Sequence, residues 1–219
     1  MTPYDTYLFD LDGTLLDTLD DLADATNHAL AAHNLPARTR DEVRRAVGNG
    51  VTKLIERSVP HGTGARTLSR VLDDFRLYYA THAADKTRPY PGITETLAEL
   101  RRRGKKIAVV SNKPHTVTQN ICARFFGTLI DAAIGENEPL IRKKPAPDMV
   151  THALNILGAD TQHSVYIGDS DVDIDTARAA GIPCIAVLWG FRDKDSLEAH
   201  AAATAAIPLA LIAHPHELL

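Results

Sequence analysis

Asp10 and Asp12 have the residue type and spacing that suit metal-assisted phosphoryl chemistry. They follow the apolar run 7–9, and side chains two residues apart on extended backbone point to the same face. Two carboxylates in one small volume repel each other unless a cation is near, and Mg²⁺ prefers such oxygen ligands. One carboxylate can attack phosphorus while the other donates and accepts a proton. A strand that ends in a solvated Asp-Gly turn is the structural alternative.

Ser111 and Asn112 follow a second apolar run, 106–110, and precede a helical pattern. A hydroxyl group together with backbone N–H groups at the start of a helix forms a site for an anion such as phosphate. The structural alternative is that Ser111 or Asn112 caps the next helix, and the two roles are compatible. We therefore treat this segment as a candidate phosphate site.

Lys143 and Lys144 stand before Pro145 and Pro147, at the start of another helical pattern. The prolines restrict the backbone, so a lysine here is held at low entropic cost. Its ammonium can neutralise a carboxylate nucleophile and a phosphoryl oxygen together. Alternation along the chain directs one of the two lysines inward, but these residues alone do not decide which. A solvated basic turn is the structural alternative.

Four aspartates fall within seven residues after the apolar run 164–168. The preceding run places Asp169 at the edge of a sheet, where we do not expect full solvation. Asp173 lies four residues further on, on the same helical face, and can support a cation site with it. The structural alternative is an acidic helix start, which the helix dipole favours. We expect Asp171 and Asp175 to be solvated or to cap the helix.

These polar segments need a scaffold that brings strand ends together, and the apolar pattern predicts one. Five short runs with little alternation are typical of strands that helices cover on both faces. Helical patterns separate the later four, which predicts an α/β fold with a doubly wound, parallel, Rossmann-like sheet of five or more strands. Ligands bind beyond the carboxyl ends of such strands. The predicted strands are 6–10, 106–110, 130–134, 164–168 and 184–188.

A long helical stretch interrupts the alternation of strands and helices after the first strand. Apolar residues at helical spacing occur over 19–30 and 68–79, and Thr39 with Glu42 forms a candidate capping box. We predict a core domain of residues 1–16 plus 89–219 and an inserted helical domain of residues 17–88. The two connections between them would form a hinge.

The composition excludes several classes of function. The 219 residues carry a formal net charge of -4 with scattered lysines and arginines, which gives no electrostatic case for nucleic acid or for an anionic membrane as a partner. The two cysteines do not form a disulfide framework. The absence of a signal-like segment and of a long apolar span predicts a cytoplasmic protein. The oligomeric state, monomer or homodimer, is left open.

Together, the four polar segments resemble the four motifs of the haloacid dehalogenase (HAD) superfamily of phosphohydrolases, in the family order. The resemblance implies a Rossmann-like core domain with a small α-helical cap domain inserted after the first motif. Caps of this kind close over the substrate and exclude water. The matching residues are Asp10-Leu11-Asp12-Gly13-Thr14, then Ser111, then Lys144-Pro145-Ala146-Pro147, and finally Gly168-Asp169 with Asp173.

The resemblance also implies a role for each matched residue. Asp10 attacks the phosphoryl group, and Asp12 protonates the leaving oxygen and then activates water. The cofactor Mg²⁺ is held by Asp10, by the backbone carbonyl of Asp12 and by Asp169, with Asp173 supporting the site. Lys144 also belongs to the catalytic group. The residues expected to bind phosphate oxygens are Thr14, Ser111, Asn112 and Lys144.

Three further segments resemble the bacterial phosphoglycolate phosphatases of this superfamily: the loop 48–50, the segment 87–92 and the segment 189–192. The resemblance implies a Mg²⁺-dependent phosphatase that acts on a small phosphorylated metabolite. Gly48 and Asn49 are the candidate substrate-selecting residues. A simple glycine turn between two helices fits them equally well.

Other functions fit some of these motifs. A phosphomutase of the β-phosphoglucomutase type shares the motifs and the cap, although such enzymes often have another residue in place of Thr14. A pyrophosphatase or nucleotidase of the same superfamily is also open. A response-regulator receiver would lack both the helical insert and Asp12. A haloacid dehalogenase proper needs no Mg²⁺ and does not usually keep Asp12.

Overall fold

The folded chain consists of a sheet-containing unit and a helical unit. A computed structural model describes residues 4–137, 139–204 and 209–219. Contacts between Cα atoms group the residues up to Leu16 with those from Pro89 onward, which we call the core unit. Residues Asp17–Arg88 form a second compact group, the helical unit.

Eight strands are described, and six of them form one parallel sheet in the core unit. They are β1 (Thr6–Phe9), β2 (Leu16–Asp17), β3 (Arg88–Pro89), β4 (Lys106–Pro114), β5 (Ala132–Glu136), β6 (Ser164–Gly168), β7 (Cys184–Val187) and β8 (Leu209–Ile212). The sheet order is β5-β4-β1-β6-β7-β8, which places β1 between β4 and β6. The short strands β2 and β3 pair with each other where the chain passes between the two units.

The carboxyl ends of the central strands lie at the same level. Phe9 of β1 pairs with Val109 of β4 and with Ile167 of β6. The backbone N–H of Asp10 donates to the carbonyl of Ile167 at 2.9 Å, which continues this alignment beyond β1. The residues that follow β1, β4 and β6 therefore meet at one edge of the sheet.

Helices cover the sheet and bury its apolar side chains. The nine described helices are α1 (Leu19–Ala32), α2 (Arg40–Ala46), α3 (Val51–Ser58), α4 (Ala65–His82), α5 (Ile93–Arg102), α6 (His115–Phe126), α7 (Asp148–Leu157), α8 (Asp171–Ala180) and α9 (Lys194–Ala203). The sheet face that carries Leu8 and Tyr166 packs against α7, α8 and α9 through Val150, Ile174 and Leu197. None of the helices in the described part of the chain is both long and apolar enough to cross a membrane.

The helical unit contains α1 to α4, and α1 packs against α4. Leu22 and Leu30 of α1 are buried, as are Phe75 and Tyr79 of α4, in agreement with their helical spacing. The predicted capping box at the start of α2 is confirmed: the Thr39 hydroxyl accepts from the backbone N–H of Glu42, and the Glu42 carboxylate accepts from that of Thr39.

A buried carboxylate fixes the end of the helical unit. Asp21 of α1 accepts hydrogen bonds from the backbone N–H groups of Lys86 and Thr87, at 2.9 and 2.8 Å, and from the Thr87 hydroxyl at 2.7 Å. The segment that leaves α4 is therefore tied to the first helix by three neutral donors, which compensate the burial of the charge.

The predicted α/β fold with a parallel, Rossmann-like sheet is confirmed. Some strands differ from the predicted ones: β1 and β7 each end one residue earlier, and the short strands β2 and β3 were not predicted. β4 continues to Pro114 rather than ending at 110, because it pairs with Glu136 of β5 after a register shift. β5 begins at Ala132, later than predicted, because its pairing with β4 begins there, opposite Ala108. β8 was not predicted; its residues are apolar, but its pairing with β7 at the sheet edge defines it as a strand.

Candidate active site

The carboxyl edge of the sheet carries a cluster of buried charged side chains, which we call the acidic cluster. Asp10 follows β1, Asp169 follows β6, and Asp173 lies in the first turn of α8. Lys144, from the loop between β5 and α7, is buried among them. Acidic and basic side chains are rarely buried unless they are paired, and such groups concentrate at functional sites.

Lys144 is held by three oxygen atoms. Its Nζ lies 2.8 Å from a carboxylate oxygen of Asp10, 2.8 Å from one of Asp173 and 3.2 Å from the hydroxyl of Tyr166. That hydroxyl donates in turn to the carbonyl of Val110 at 3.1 Å. All three donors of the ammonium thus have acceptors, and the side chain is only 3% exposed.

Asp169 is positioned by two donors and by two glycines. The Thr14 hydroxyl donates to one carboxylate oxygen at 3.1 Å, and the backbone N–H of Phe191 donates to the other at 2.7 Å. A Cβ atom at Gly13 or at Gly190 would overlap the Asp169 side chain, and Gly13 also has a φ of +85°. Only glycine fits both positions without displacing Asp169.

The acidic cluster is short of positive charge. Burial raises the pKa of Asp10 well above its usual range; Lys144 opposes this shift, whereas Asp173 and Asp169 add to it. Burial and the neighbouring Asp173 raise the pKa of Asp169 to about 7. Burial lowers the pKa of Lys144, but Asp10 and Asp173 outweigh it and hold that pKa well above its ordinary value. Lys144 is therefore charged, and the acidic cluster contains one positive charge for three acidic side chains.

This electrostatic deficit and the donor set fit a divalent cation. One carboxylate oxygen from each of Asp10, Asp169 and Asp173 lies within 4.8 Å of the other two. Hard carboxylate oxygens suit Mg²⁺, and its positive charge would relieve the repulsion among these carboxylates. Asp173 is also engaged by Ser170, whose N–H and hydroxyl donate to it at 3.1 and 2.6 Å. These contacts suit the supporting role predicted for Asp173.

The Asp12 carboxylate has a separate cationic partner. Its Oδ1 lies 2.9 Å from Nζ of Lys113, whose side chain is 2% exposed, whereas that of Asp12 is 17% exposed. The two carboxylates of the first motif, Asp10 and Asp12, are thus paired with different lysines. Lys113 was not predicted as a site residue, although its place at the carboxyl end of β4 was a signal for one.

The structure decides between the two adjacent lysines and gives Asn112 a different contact. Lys144 enters the acidic cluster, whereas Nζ of Lys143 lies 3.6 Å from Glu136. Asn112 was predicted to bind phosphate, but its amide bonds the Lys144 backbone, accepting from the N–H at 2.8 Å and donating to the carbonyl at 3.0 Å. Asn112 therefore positions the backbone of Lys144. Phosphate binding by Asn112 stays a prediction.

The two hydroxyl residues predicted to bind phosphate are buried at the same edge. Ser111 accepts from the N–H of Lys113 at 3.3 Å, and Thr14 donates to Asp169. Ser111 and Asn112 do not cap α6, which begins at His115 after Pro114. That structural alternative is therefore wrong, and phosphate binding by Ser111 and Thr14 stays a prediction.

Gly48 and Asn49 lie in the helical unit, in the turn between α2 and α3. Their φ angles are +123° and +62°, so the turn requires the left-handed region. The Arg57 guanidinium donates to the carbonyls of Ala46 and Gly48, at 3.0 and 3.4 Å. Contact of Gly48 and Asn49 with a substrate stays a prediction.

The segment after β7 contributes contacts that residue-level reasoning missed. The Trp189 indole donates to the Thr14 carbonyl at 2.9 Å, next to the Phe191 and Gly190 contacts with Asp169. This segment was noted for its resemblance alone. Its position at the carboxyl end of a parallel strand was the physical signal that could have assigned it to the site.

Comparison with known proteins places the chain in a class. Residues 7–187 match the model of the haloacid dehalogenase-like hydrolase family, and this span contains all the site residues described above except Trp189, Gly190 and Phe191. The chain therefore belongs to the haloacid dehalogenase-like hydrolases.

Within that family, the chain is similar to phosphoglycolate phosphatases. It is 38% identical to the phosphoglycolate phosphatase of Mesorhizobium japonicum over 192 residues, which cover 85% of this chain and 84% of the relative. It is 34% identical to that of Aquifex aeolicus, with 84% of each chain covered. The crystal structure of a candidate phosphoglycolate phosphatase from Lactobacillus delbrueckii subsp. bulgaricus superimposes with a TM-score of 0.90 at 34% identity, covering 98% and 96% of the two chains. The predicted family resemblance is confirmed.

Proposed function

We propose that this hydrolase is a Mg²⁺-dependent phosphatase that cleaves a small phosphate monoester through an aspartyl-phosphate intermediate. The observation that carries the proposal is the pairing of Asp10 with Lys144 at 2.8 Å, at a sheet edge where Asp12 is a second carboxylate. A nucleophile next to a buried ammonium, with a separate proton-transfer group nearby, is the arrangement that phosphoryl transfer needs.

The proposed reaction has two steps. In the first, a carboxylate oxygen of Asp10 attacks phosphorus, the bond from phosphorus to the ester oxygen breaks, and Asp12 gives its proton to the leaving oxygen. In the second, a water oxygen attacks the same phosphorus, its proton passes to Asp12, and inorganic phosphate leaves Asp10 as a free carboxylate. Lys144, Ser111 and Thr14 bind the phosphoryl oxygens, and Lys144 neutralises part of their charge.

The proposed residues for the cation are Asp10, Asp169 and the backbone carbonyl of Asp12, with Asp173 supporting them. When bound, Mg²⁺ supplies positive charge that stabilises the phosphoryl oxygens as charge moves onto them. Asp169 is held by Thr14 and Phe191, so its carboxylate is fixed before the cation arrives.

The proposed substrate is 2-phosphoglycolate or a similar small ester, because the relatives named above are phosphoglycolate phosphatases. We further propose that residues 1–16 plus 89–219 form the catalytic core domain and that residues 17–88 form a cap domain. In that arrangement, the turn at Gly48 and Asn49 would select the leaving group.

The test measures phosphate release from 2-phosphoglycolate, sugar phosphates, nucleotides and pyrophosphate, with Mg²⁺ and with a chelator. We expect Mg²⁺-dependent release that Asp10→Asn abolishes. Asp195→Asn, the same change at an exposed position of α9, should leave release unchanged. Release that survives Asp10→Asn would contradict the nucleophile. No release from any ester would overturn the phosphatase and leave a phosphomutase, which a sugar bisphosphate should activate.

A further inference from the structure

Lys113 is a buried ammonium that contacts the proposed proton-transfer carboxylate. Its Nζ lies 2.9 Å from Asp12, and its side chain is almost completely buried. An ammonium removed from water requires acceptors, and a carboxyl oxygen of Asp12 supplies one. Nothing in the proposed reaction so far uses this lysine.

The backbone that carries Lys113 is held on both sides. Its N–H donates to the Ser111 hydroxyl at 3.3 Å, and its carbonyl accepts from the Thr118 hydroxyl at 3.2 Å. A Cβ atom at Gly135 of β5 would lie 2.6 Å from the Lys113 carbonyl oxygen, so the neighbouring strand approaches as closely as glycine allows. Because its backbone is fixed and its side chain is enclosed, the ammonium has a defined position.

The two buried lysines divide the carboxylates of the first motif between them. Lys144 contacts Asp10 and Asp173, whereas Lys113 contacts Asp12. Asp10 is part of the group suited to a divalent cation, and the side chain of Asp12 is not. A free carboxylate two residues from that group would be attracted to the cation. Lys113 offers Asp12 a competing partner at a fixed place.

We propose that Lys113 is a positioning residue that holds the Asp12 carboxyl group where it transfers protons. This inference rests on the proposed phosphatase function. It assigns Lys113 to the step in which the proton of Asp12 passes to the leaving oxygen as the phosphorus–oxygen bond breaks. Loss of Lys113 should therefore slow esters whose leaving group needs that proton more than esters whose leaving group departs as a stable anion.

The test compares Lys113→Met with wild type on 2-phosphoglycolate, an alkyl ester, and on p-nitrophenyl phosphate, an aryl ester. Rapid-quench measurement of the first turnover isolates the step in which the leaving group departs. We expect a loss of about 10²-fold for the alkyl ester and of less than about tenfold for the aryl ester, as for removal of general-acid assistance. Equal losses for both esters, or no loss, would overturn the proposal.

Three variants keep this test decisive. Lys113→Arg retains the charge and should restore most of the alkyl-ester rate, and Lys113→Gln replaces Lys113→Met if the latter does not fold. In an Asp12→Asn background, Lys113→Met should add less than about a twofold loss, because the residue through which it acts is already absent. An additional loss as large as in wild type would refute action through Asp12.

The matched control is Lys106→Met, at the exposed start of the same strand, which should change neither rate. Wild-type protein that releases no leaving group from either ester would refute the proposed phosphatase itself. A failure of the function is thereby distinguished from a failure of the role of Lys113.

Discussion

The two units of the chain bury negative charge in opposite ways. In the helical unit, Asp21 is the one charged side chain that is fully buried among the described residues, and three neutral donors from Lys86 and Thr87 satisfy it. In the core unit, Asp10 and Asp169 are buried beside another carboxylate, Asp173, and their pKa values are raised by burial and by this crowding.

The difference distinguishes a buried carboxylate that stabilises the fold from buried carboxylates that take part in a reaction. A carboxylate with neutral hydrogen-bond donors contributes to stability without needing a further partner. Carboxylates that face one another are unfavourable until a cation and a substrate arrive, and proteins retain such arrangements at functional sites. Mutations in the two units should therefore affect different measurements.

The largest expected effect is that of Asp10→Asn on activity. Removing the nucleophile should lower kcat by at least about 10⁴-fold, as for other covalent catalysts. The change also removes one of the crowded charges, so the melting temperature of the metal-free protein should change little. Phosphate release and thermal unfolding measured on the same preparation check both. A fall in both kcat and melting temperature would mean that Asp10 serves the fold.

The next effect distinguishes the two adjacent lysines. Lys144→Met should lower kcat by about 10³-fold and destabilise the fold by about 3–5 kcal/mol, because it leaves buried carboxylates without their counter-charge. Lys143→Met changes the preceding residue, whose Nζ lies 3.6 Å from Glu136 and whose side chain is 30% exposed. It should cost less than about 1 kcal/mol and leave kcat within a few-fold. Steady-state kinetics and urea unfolding measure both, and similar losses for the two variants would contradict the assignment.

Asp21→Ala should lower stability and leave activity intact, the opposite of what is expected for Asp10→Asn. Three donors lose their acceptor, so we expect a loss of about 3 kcal/mol in the free energy of unfolding, with the kcat of the folded fraction nearly unchanged. The control is Asp24→Ala in the same helix, where an exposed carboxylate lies 2.6 Å from Nζ of Lys86; its loss should be at most about 1 kcal/mol. Denaturant titration compares the two. Equal destabilisation would mean that burial of Asp21 contributes nothing.

The contrast between Asp21 and Asp10 also explains what could be predicted from sequence. Asp10 and Asp169 follow apolar runs, so local pattern alone directs them to strand ends. The contact of Asp21 with Lys86 joins residues 65 positions apart, so no local pattern predicts it. Asp21 occurs in an ordinary amphipathic helix, where an acidic side chain is expected to be solvated.

The same limit applies within the active site. The choice between Lys143 and Lys144 depends on how Asn112 binds the backbone of Lys144, a contact across 32 residues. Lys113 was overlooked because its role depends on contact with Asp12, which is far from it in sequence. The continuation of β4 as far as this lysine depends on pairing with β5. Tertiary pairing, rather than the propensity of each segment, determines these features.

The smallest predicted effect concerns pH, and it tests the crowding of the acidic cluster. The folded-state pKa of Asp169 is raised to about 7, so without metal the folded protein binds more protons than the unfolded chain between about pH 4 and pH 7. The stability of the metal-free protein should therefore fall as the pH rises through this range. Mg²⁺ should oppose the fall, because it binds the ionised carboxylates of the folded state.

Thermal unfolding in chelator at pH 5.5 and pH 7.5 measures this effect, and the control is Asp169→Asn, which removes the titrating group. The melting temperature of wild type should fall by a few degrees more than that of Asp169→Asn, and added Mg²⁺ should reduce the difference. The opposite sign would mean that Asp169 is stabilised as a carboxylate without metal. The core unit would then resemble the helical unit, where neutral donors alone compensate the buried charge.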